Sequence, residues 1–278
     1  MGAMNRHFRW LRIMQGALVP LAVLALWQWL AVSGLVNPLI LPTPVAVFKK
    51  WIQYLSPFEP FDAAKSGYFA WFFSGELLGD AYASLHRVLS GFFLGAALAL
   101  PLGLFMGAND TVYKLCNPLI QVLRPIPPIA FIPLAILWFG LGNPPAVFLI
   151  TIGAFFPILM NTIAGVRHVD VIYIRAAQSL GAGQRTLFLR VMLPAASPYI
   201  LAGARIGMGT AFIVVIVAEM IAVNSGLGYR ILEAREFFWP DKIIAGMISI
   251  GLLGLGIDSG MSWLNNHLLK WHRGIGNN

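Results

Sequence analysis

From Pro125 to Val166 the sequence runs 42 positions without a charged residue. A helix of about 20 apolar residues crosses the hydrocarbon core of a bilayer, so this run is too long for one crossing. Gly140-Leu-Gly-Asn-Pro-Pro145 breaks it, because clustered Gly and Pro end helices and make turns. It reads as two spans, near 119–140 and 145–166. Pro125, Pro127, Pro128 and Pro133 kink or interrupt the first. Backbone carbonyls freed at such breaks are tolerated in lipid only against protein or a cavity, which places this segment on the interior of a helix bundle.

The rest of the chain agrees. Hydrophobic residues make up 58% of it and charged residues 11%, where a soluble domain carries about 25% charged residues. Further spans are expected near 13–32, 88–107, 199–223 and 243–264, giving an all-α polytopic membrane protein with six transmembrane helices. Arg6, Arg9 and Arg12 precede the first apolar run as in a signal peptide, but no small-x-small cleavage site follows, so it reads as a retained span. A polar segment, 33–86, comes next. It opens with the turn Leu41-Pro42-Thr43-Pro44, continues in a short interfacial helix and reaches the aromatic run Tyr68–Phe73, expected on the membrane surface or against the bundle. Gly91, Gly95, Gly103 and Gly107 give the second span a small-residue face of the kind that lets helices approach closely in lipid. With a similar face on the fifth span, it points to contact with a second copy. Asn224–Gly228 reads as a turn and Tyr229–Trp239 as a short amphipathic helix.

Charge sets the orientation. Residues 1–12, 108–127, 167–198 and 265–278 carry eleven Lys and Arg against Asp110 and Asp170, whereas 33–87 and 223–242 carry seven basic and seven acidic residues. The positive-inside rule puts both termini in the cytoplasm. The formal net charge of +8 thus belongs to membrane flanks and gives no reason to expect nucleic acid. A single cysteine, Cys116, excludes an intrachain disulfide, and the five histidines are scattered without metal-ligand spacing. No phosphate-cradling G-x-x-x-x-G-K-[ST] occurs, so no nucleotide site, catalytic group or cofactor is expected in this chain.

Three charges fall inside expected spans: Arg205, Glu219 and Asp258. Intramembrane charges mark functional or paired positions because they are costly in lipid. Arg205 and Glu219 are 14 residues apart, about 21 Å along a helix, and cannot pair. Arg205 needs something negative, either a transiting anion or a fixed partner such as Asp258. Glu219 reads as a structural or gate-linking residue, and His86-Arg87 as a place where an anion could be met.

Arg175–Pro194 is a polar, basic island between spans. It places Ala176-Ala177, then three residues, Gly181, nine residues, and Val191-Met192-Leu193-Pro194. Gly181 is expected to end a short helix in the left-handed conformation and Pro194 to stop the next one. Two short helices joined by a sharp bend would form a knob on which a soluble partner can push. This stretch resembles the EAA loop of ABC-importer permeases, with Val191 for the family's isoleucine and Arg175 for its glutamate. The resemblance extends from Leu77 to Leu264. Arg124-Pro-Ile-Pro-Pro128, Ile136–Gly140, Phe156-Pro157, Asn161-Thr162, Gly203-Ala-Arg205 and Ala218-Glu219 are similar to the nitrate, sulfonate, taurine and bicarbonate branch.

That resemblance implies a type I ABC-importer permease fold in the cell inner membrane. Residues 1–76 form an N-terminal flank with the first span and a periplasmic segment, 77–264 the transmembrane domain, and 265–278 a cytoplasmic tail. It implies a coupling loop, 170–194, whose Arg175, Ala176, Ala177, Gly181, Ala182, Gly183, Leu193 and Pro194 face an ATPase. Arg205, Glu219, Arg124, Pro128 and Asn161 are candidates for the translocation path or gate. The implied partners are two ATPase subunits that bind ATP and Mg, a periplasmic or lipoprotein solute-binding protein, and a second copy of the chain. The implied cargo is a small anion, although relatives are thought to carry aromatic carboxylates or thiamine-precursor pyrimidines. A secondary transporter or channel would show paired broken helices in two halves, and an integral-membrane enzyme would show clustered His, Asp or Glu at one depth.

Overall fold

The computed structural model describes residues 2–37, 39–57, 68, 71 and 74–269. The basic side chains before residue 16, most of the aromatic run 68–73, and the tail beyond Leu269 lie outside the described residues. The chain divides into two units, Met1–Leu78 with Arg230–Ile248, and Gly79–Tyr229 with Ser249–Asn278.

In the first unit α1, Gly2–Val32, is followed by α2, Pro44–Leu55. Thr43 starts α2 by accepting the Ala46 N–H at 3.2 Å, with Pro44 in the first turn, an arrangement that satisfies a helix N-terminus. Trp27 Nε1 donates to the Pro42 carbonyl at 3.0 Å. The unit also holds the start of α3 (Glu76–Ala108), most of α9 (Leu227–Glu236) and the start of α10 (Pro240–Leu268). A charge cluster ties these ends together. Arg230 bonds Glu76 at 2.6 Å and Glu233 at 3.0 Å, and Lys242 reaches Glu76 at 3.4 Å and Glu233 at 3.6 Å. The Lys242 ammonium also lies 5.4 Å from the Tyr54 ring centroid. Burial pushes the Glu233 carboxyl up, but hydrogen bonds and charge from Arg230 and Lys242 outweigh it and hold the group below its ordinary range.

The second unit contains α4 (Asp110–Leu123), a 3₁₀ turn (Pro128–Phe131), α5 (Ile132–Phe139), α6 (Asn143–Arg167), α7 (Val171–Ser179) and α8 (Gln184–Ala222). At its centre stands α6, with Leu149, Ile150, Ala154, Ile158 and Leu159 buried. Glycines bring two helices against it. A Cβ on Gly91 would strike the Ile150 side chain, on Gly103 the Thr162 side chain, and on Gly107 that of Val166, so α3 packs with its backbone close to α6. On the other side Gly203 and Gly207 of α8 face Asn161 and Ile158. Thr151 Oγ1 donates to the Val147 and Gly91 carbonyls, and Thr210 Oγ1 to the Gly153 carbonyl at 2.7 Å. The small-residue faces of the second and fifth spans are therefore used within the chain, which removes the reason for assigning them to a second copy.

Three boundaries differ from expectation. The second span begins at Glu76, so Asp80 and Ser84 are helical and do not belong to a polar loop ending at 86. The third begins at Asp110, not near 119, and is interrupted as its prolines lead one to expect: α4 and the Pro128–Phe139 segment are bent by 81°, where Pro125, Pro127 and Pro128 withhold helical donors. Pro194 does not stop a helix. Gln184–Leu187 runs into a π turn at Phe188–Met192 and on into Leu193–Ala222. A proline ring clashes with the carbonyl four residues back in regular α-helix; the wider turn, with Leu193 N–H bonded to the Phe188 carbonyl, accommodates it.

Among the described residues α3, α6, α8 and α10 are each long and apolar enough to cross a membrane, and the bent pair makes a fifth crossing if counted as one. The sixth expected span falls on α1, whose described apolar part, Leu18–Val32, is shorter than a crossing. Gly95 tests the packing, because its Cβ would meet the Thr151 carbonyl at 2.8 Å and Ala154 Cβ at 3.0 Å, neither free to move away. Gly95→Leu is expected to destabilise the purified protein by about 1–3 kcal/mol. Gly209→Ala, which meets nothing within 4 Å, is expected to stay within about 0.5 kcal/mol. Thermal unfolding in detergent measures both.

Candidate functional site

The segment after α6 builds a knob. Asp170 accepts the Ile172 N–H at 2.8 Å and starts α7. The helix ends as its glycine dictates: Gly181 has φ +80, its N–H bonds the Gln178 carbonyl at 2.9 Å, and the Ala182 N–H bonds the Ala177 carbonyl at 3.0 Å. This is the paired 5→2 and 6→1 closure of a Schellman motif. The bend throws Leu180 outward at 89% exposure, beside exposed Val171, Ile172 and Tyr173. Arg175, Ala176 and Gly183 are also exposed, Ala177 and Ala182 half-buried. Leu193 and Pro194 sit beyond the π turn, at the start of the long α section of α8. Of the eight residues expected on the coupling loop, Arg175 to Gly183 stand on α7 and its bend, and Leu193 and Pro194 on α8.

Glu219, near the other end of α8, is fully buried. Arg87 Nη1 donates to its Oε1 at 2.7 Å and to the Ser225 carbonyl at 2.9 Å, Nη2 to Ser225 Oγ at 2.6 Å, and Nε to Asn143 Oδ1 at 2.7 Å. Glu219 Oε2 accepts from Ser84 Oγ at 2.9 Å and the Gly228 N–H at 3.0 Å. Ser84 in turn accepts the Leu227 N–H, and Asp80 the Gly226 N–H at 2.8 Å. A buried ion pair is stable only when its remaining hydrogen-bonding capacity is filled, and here α3, α6, α8 and residues 225–228 fill it. Gly226 lies at φ +105 against the Glu219 carboxylate, where a Cβ would collide. The anion that Arg87 meets is therefore Glu219, 132 positions away. Sequence reasoning left out Asp80, Ser84, Asn143 and Ser225. Once the helix is known to start at Glu76, the spacing of 80, 84 and 87 puts three polar groups on one face.

Arg205 has its fixed partner. Its Nε and Nη2 donate to the two carboxylate oxygens of Asp258 at 2.9 and 2.8 Å, a two-pronged pair whose side chains remain 47% and 55% exposed. Arg205 and Glu219 do not meet.

The other three path candidates do come together. Arg124, Pro128 and Asn161 line a cavity of about 530 Å³, walled also by Phe156, Met160, Thr210 and Ile213. Among the described residues no group of three or more His, Cys, Asp or Glu could hold a metal ion.

The buried network gives a stability test. Glu219→Ala leaves the Arg87 charge buried and unpaired, and should cost about 3–5 kcal/mol. The double variant Arg87→Met with Glu219→Leu should recover most of that loss, as read by thermal unfolding.

The family model for the binding-protein-dependent transport system inner membrane component matches residues 99–273. A Methanocaldococcus jannaschii protein, by name an ABC transporter permease, is 43% identical over 92% of this chain and 91% of its own. The taurine transport system permease protein of Escherichia coli is 35% identical over 90% and 86%. The bicarbonate transport system permease protein of Synechococcus elongatus is 33% identical over 94% and 93%. In three dimensions a methionine ABC transporter chain, from a structure in an inward-facing conformation, superposes with a TM-score of 0.57 at 19% identity, over 74% of this chain and 98% of that one.

Proposed function

Because the chain belongs to the binding-protein-dependent inner membrane components of ABC transporters, a multi-pass permease family, we propose that it imports a small anion by ATP-driven alternating access. Two ATPase subunits, which bind ATP and Mg, grip the α7 knob on the cytoplasmic side, where both termini also lie. A solute-binding protein delivers cargo from the other side, and a second copy of this chain completes the pore through six spans each. The name of the bicarbonate relative supports an anion as cargo, and the taurine relative's name supports an anionic sulfonate group on it.

The observation that carries this reading is the joining of the knob to a single unbroken helix. The bend at Gly181 presents exposed Leu180, and from Gln184 the chain continues as helix to Ala222. At about 1.5 Å per residue, its 39 residues extend from the knob to the Glu219 network. A push on the knob therefore moves a span as a lever. Arg175, where the family carries glutamate, offers a cation to carboxylates on the ATPase.

Gly181→Val tests the coupling. A Cβ at positive φ costs roughly 1–2 kcal/mol, and a β-branched side chain is a genuine outlier there, so Val disfavours the bend. In proteoliposomes carrying the complete importer, the variant should insert normally but lose ATP-driven uptake and retain less ATPase on purification. Gly251→Ala, outside the loop and with nothing within 4 Å of the added Cβ, should transport normally. Full uptake with bound ATPase in Gly181→Val would remove the knob from the mechanism.

A further inference from the structure

In the first unit, α9 ends in a strained turn that nothing inside the chain explains. The Phe238 N–H bonds the Arg235 carbonyl at 3.2 Å and the Trp239 N–H the Ala234 carbonyl at 2.8 Å, the paired closure of a Schellman motif. The left-handed residue of that motif is usually Gly, sometimes Asn. Here it is Phe238, at φ 55, the one non-glycine residue with positive φ among the described residues. A bulky side chain is an outlier in that region, and strain of this kind gathers at positions with a use. Packing does not account for the phenylalanine. Phe238 is 81% exposed, and Phe237 and Trp239, stacked at 4.9 Å, are exposed beside it.

A second apolar surface adjoins this turn. On α2, Val45, Phe48 and Ile52 recur at helical spacing and are exposed, whereas Val47 and Tyr54 are buried. A helix whose outer side faces water carries polar residues there. The outer side of α2 carries apolar ones, with exposed Lys49 among them. The Lys50 ammonium lies 6.0 Å from the Trp239 ring centroid, so α2 and the turn form one continuous face.

The depth of this face follows from the chain. Trp239 directly precedes Pro240, where α10 begins, and α10 is long and apolar enough to cross a membrane. A residue beside the end of a span stands at the membrane–water boundary, where Trp is enriched. Lys at that level lays its stem along apolar surface and keeps its ammonium among the headgroups. Three adjacent aromatic rings at that boundary favour lipid over a soluble protein, which is met by groups standing clear of the headgroups. We propose that residues 237–239 and the outer face of α2 form a lipid-binding surface that inserts into the headgroup–acyl boundary, with Phe238 at its tip. Burial of the Phe238 ring in lipid offsets the strain of its backbone.

The test uses the full-length permease in phosphatidylcholine nanodiscs, without ATPase or any soluble partner. In a Cys116→Ala background, Phe238→Cys carries a nitrobenzoxadiazole label, and the same label at Leu180→Cys, on the exposed bend of the knob, is the water-facing control. Lipid spin-labelled near the headgroup should quench the label at 238 about twofold more than lipid spin-labelled at the chain end, as insertion about 5–10 Å deep requires. Iodide should quench it little. At 180 iodide should quench strongly and neither lipid should. Iodide quenching at 238 equal to that at 180 would overturn the proposal and leave the face to a soluble partner. A label can draw its own site into lipid, so Trp239 supplies an unlabelled reading. The emission lost in Trp239→Phe should be quenched by phosphatidylcholine brominated near the headgroup. If iodide quenches that emission and brominated lipid does not, the face lies in water and the proposal fails. Should Phe238→Cys not fold, the label at Ile52→Cys carries the same two outcomes.

Discussion

An ionised side chain buried in a membrane protein has to be paired and hydrogen-bonded within the fold, and the pairing of Arg87 with Glu219 answers that requirement. The two oxygens of Glu219 and the guanidinium of Arg87 are bonded by groups from α3, α6, α8 and residues 225–228. Each bond is ordinary, but together they hold three spans and a turn in one register. Removing either charge strands the other in a low-dielectric interior, which makes this network the anchored end of the second unit.

Close helix packing supplies the rest. There is little hydrophobic drive between helices in lipid, so contact area and short carbonyl approaches decide association. Glycines on α3 and α8 pack their small faces on α6, which carries the core residues Leu149, Ile150, Ala154, Ile158 and Leu159. The result is one rod, α8, anchored at its Glu219 end and carrying an exposed knob at the other. The π turn at Phe188–Met192 keeps that rod continuous through Pro194.

Much of this was legible in the sequence. The long apolar runs gave four spans and the bent pair, the Gly/Pro clusters gave their breaks, and Gly181 gave the bend, because each is a local consequence of residue type. The Ala176-Ala177, Gly181, Leu193-Pro194 spacing gave the knob and its family. Contacts between distant residues were not legible. Nothing local to Arg87 names Glu219 as its partner, and Arg205 left two accounts open that the Asp258 contact separates. Pro194 misled because its ordinary effect is to end a helix, and a π turn upstream relieves that clash. The cavity was only half visible: Arg124, Pro128 and Asn161 were singled out by resemblance, but it takes folding to put them around one space.

The central claim is that the knob at Leu180 is where an ATPase grips and moves the permease. A photo-crosslinking residue at Leu180, the most exposed large apolar side chain of the knob, tests it most directly in the assembled complex. The account predicts a crosslink to the ATPase subunit, with a yield that changes between ATP-bound and nucleotide-free states. No ATPase adduct from Leu180, in a complex that still carries ATPase and transports, would contradict it.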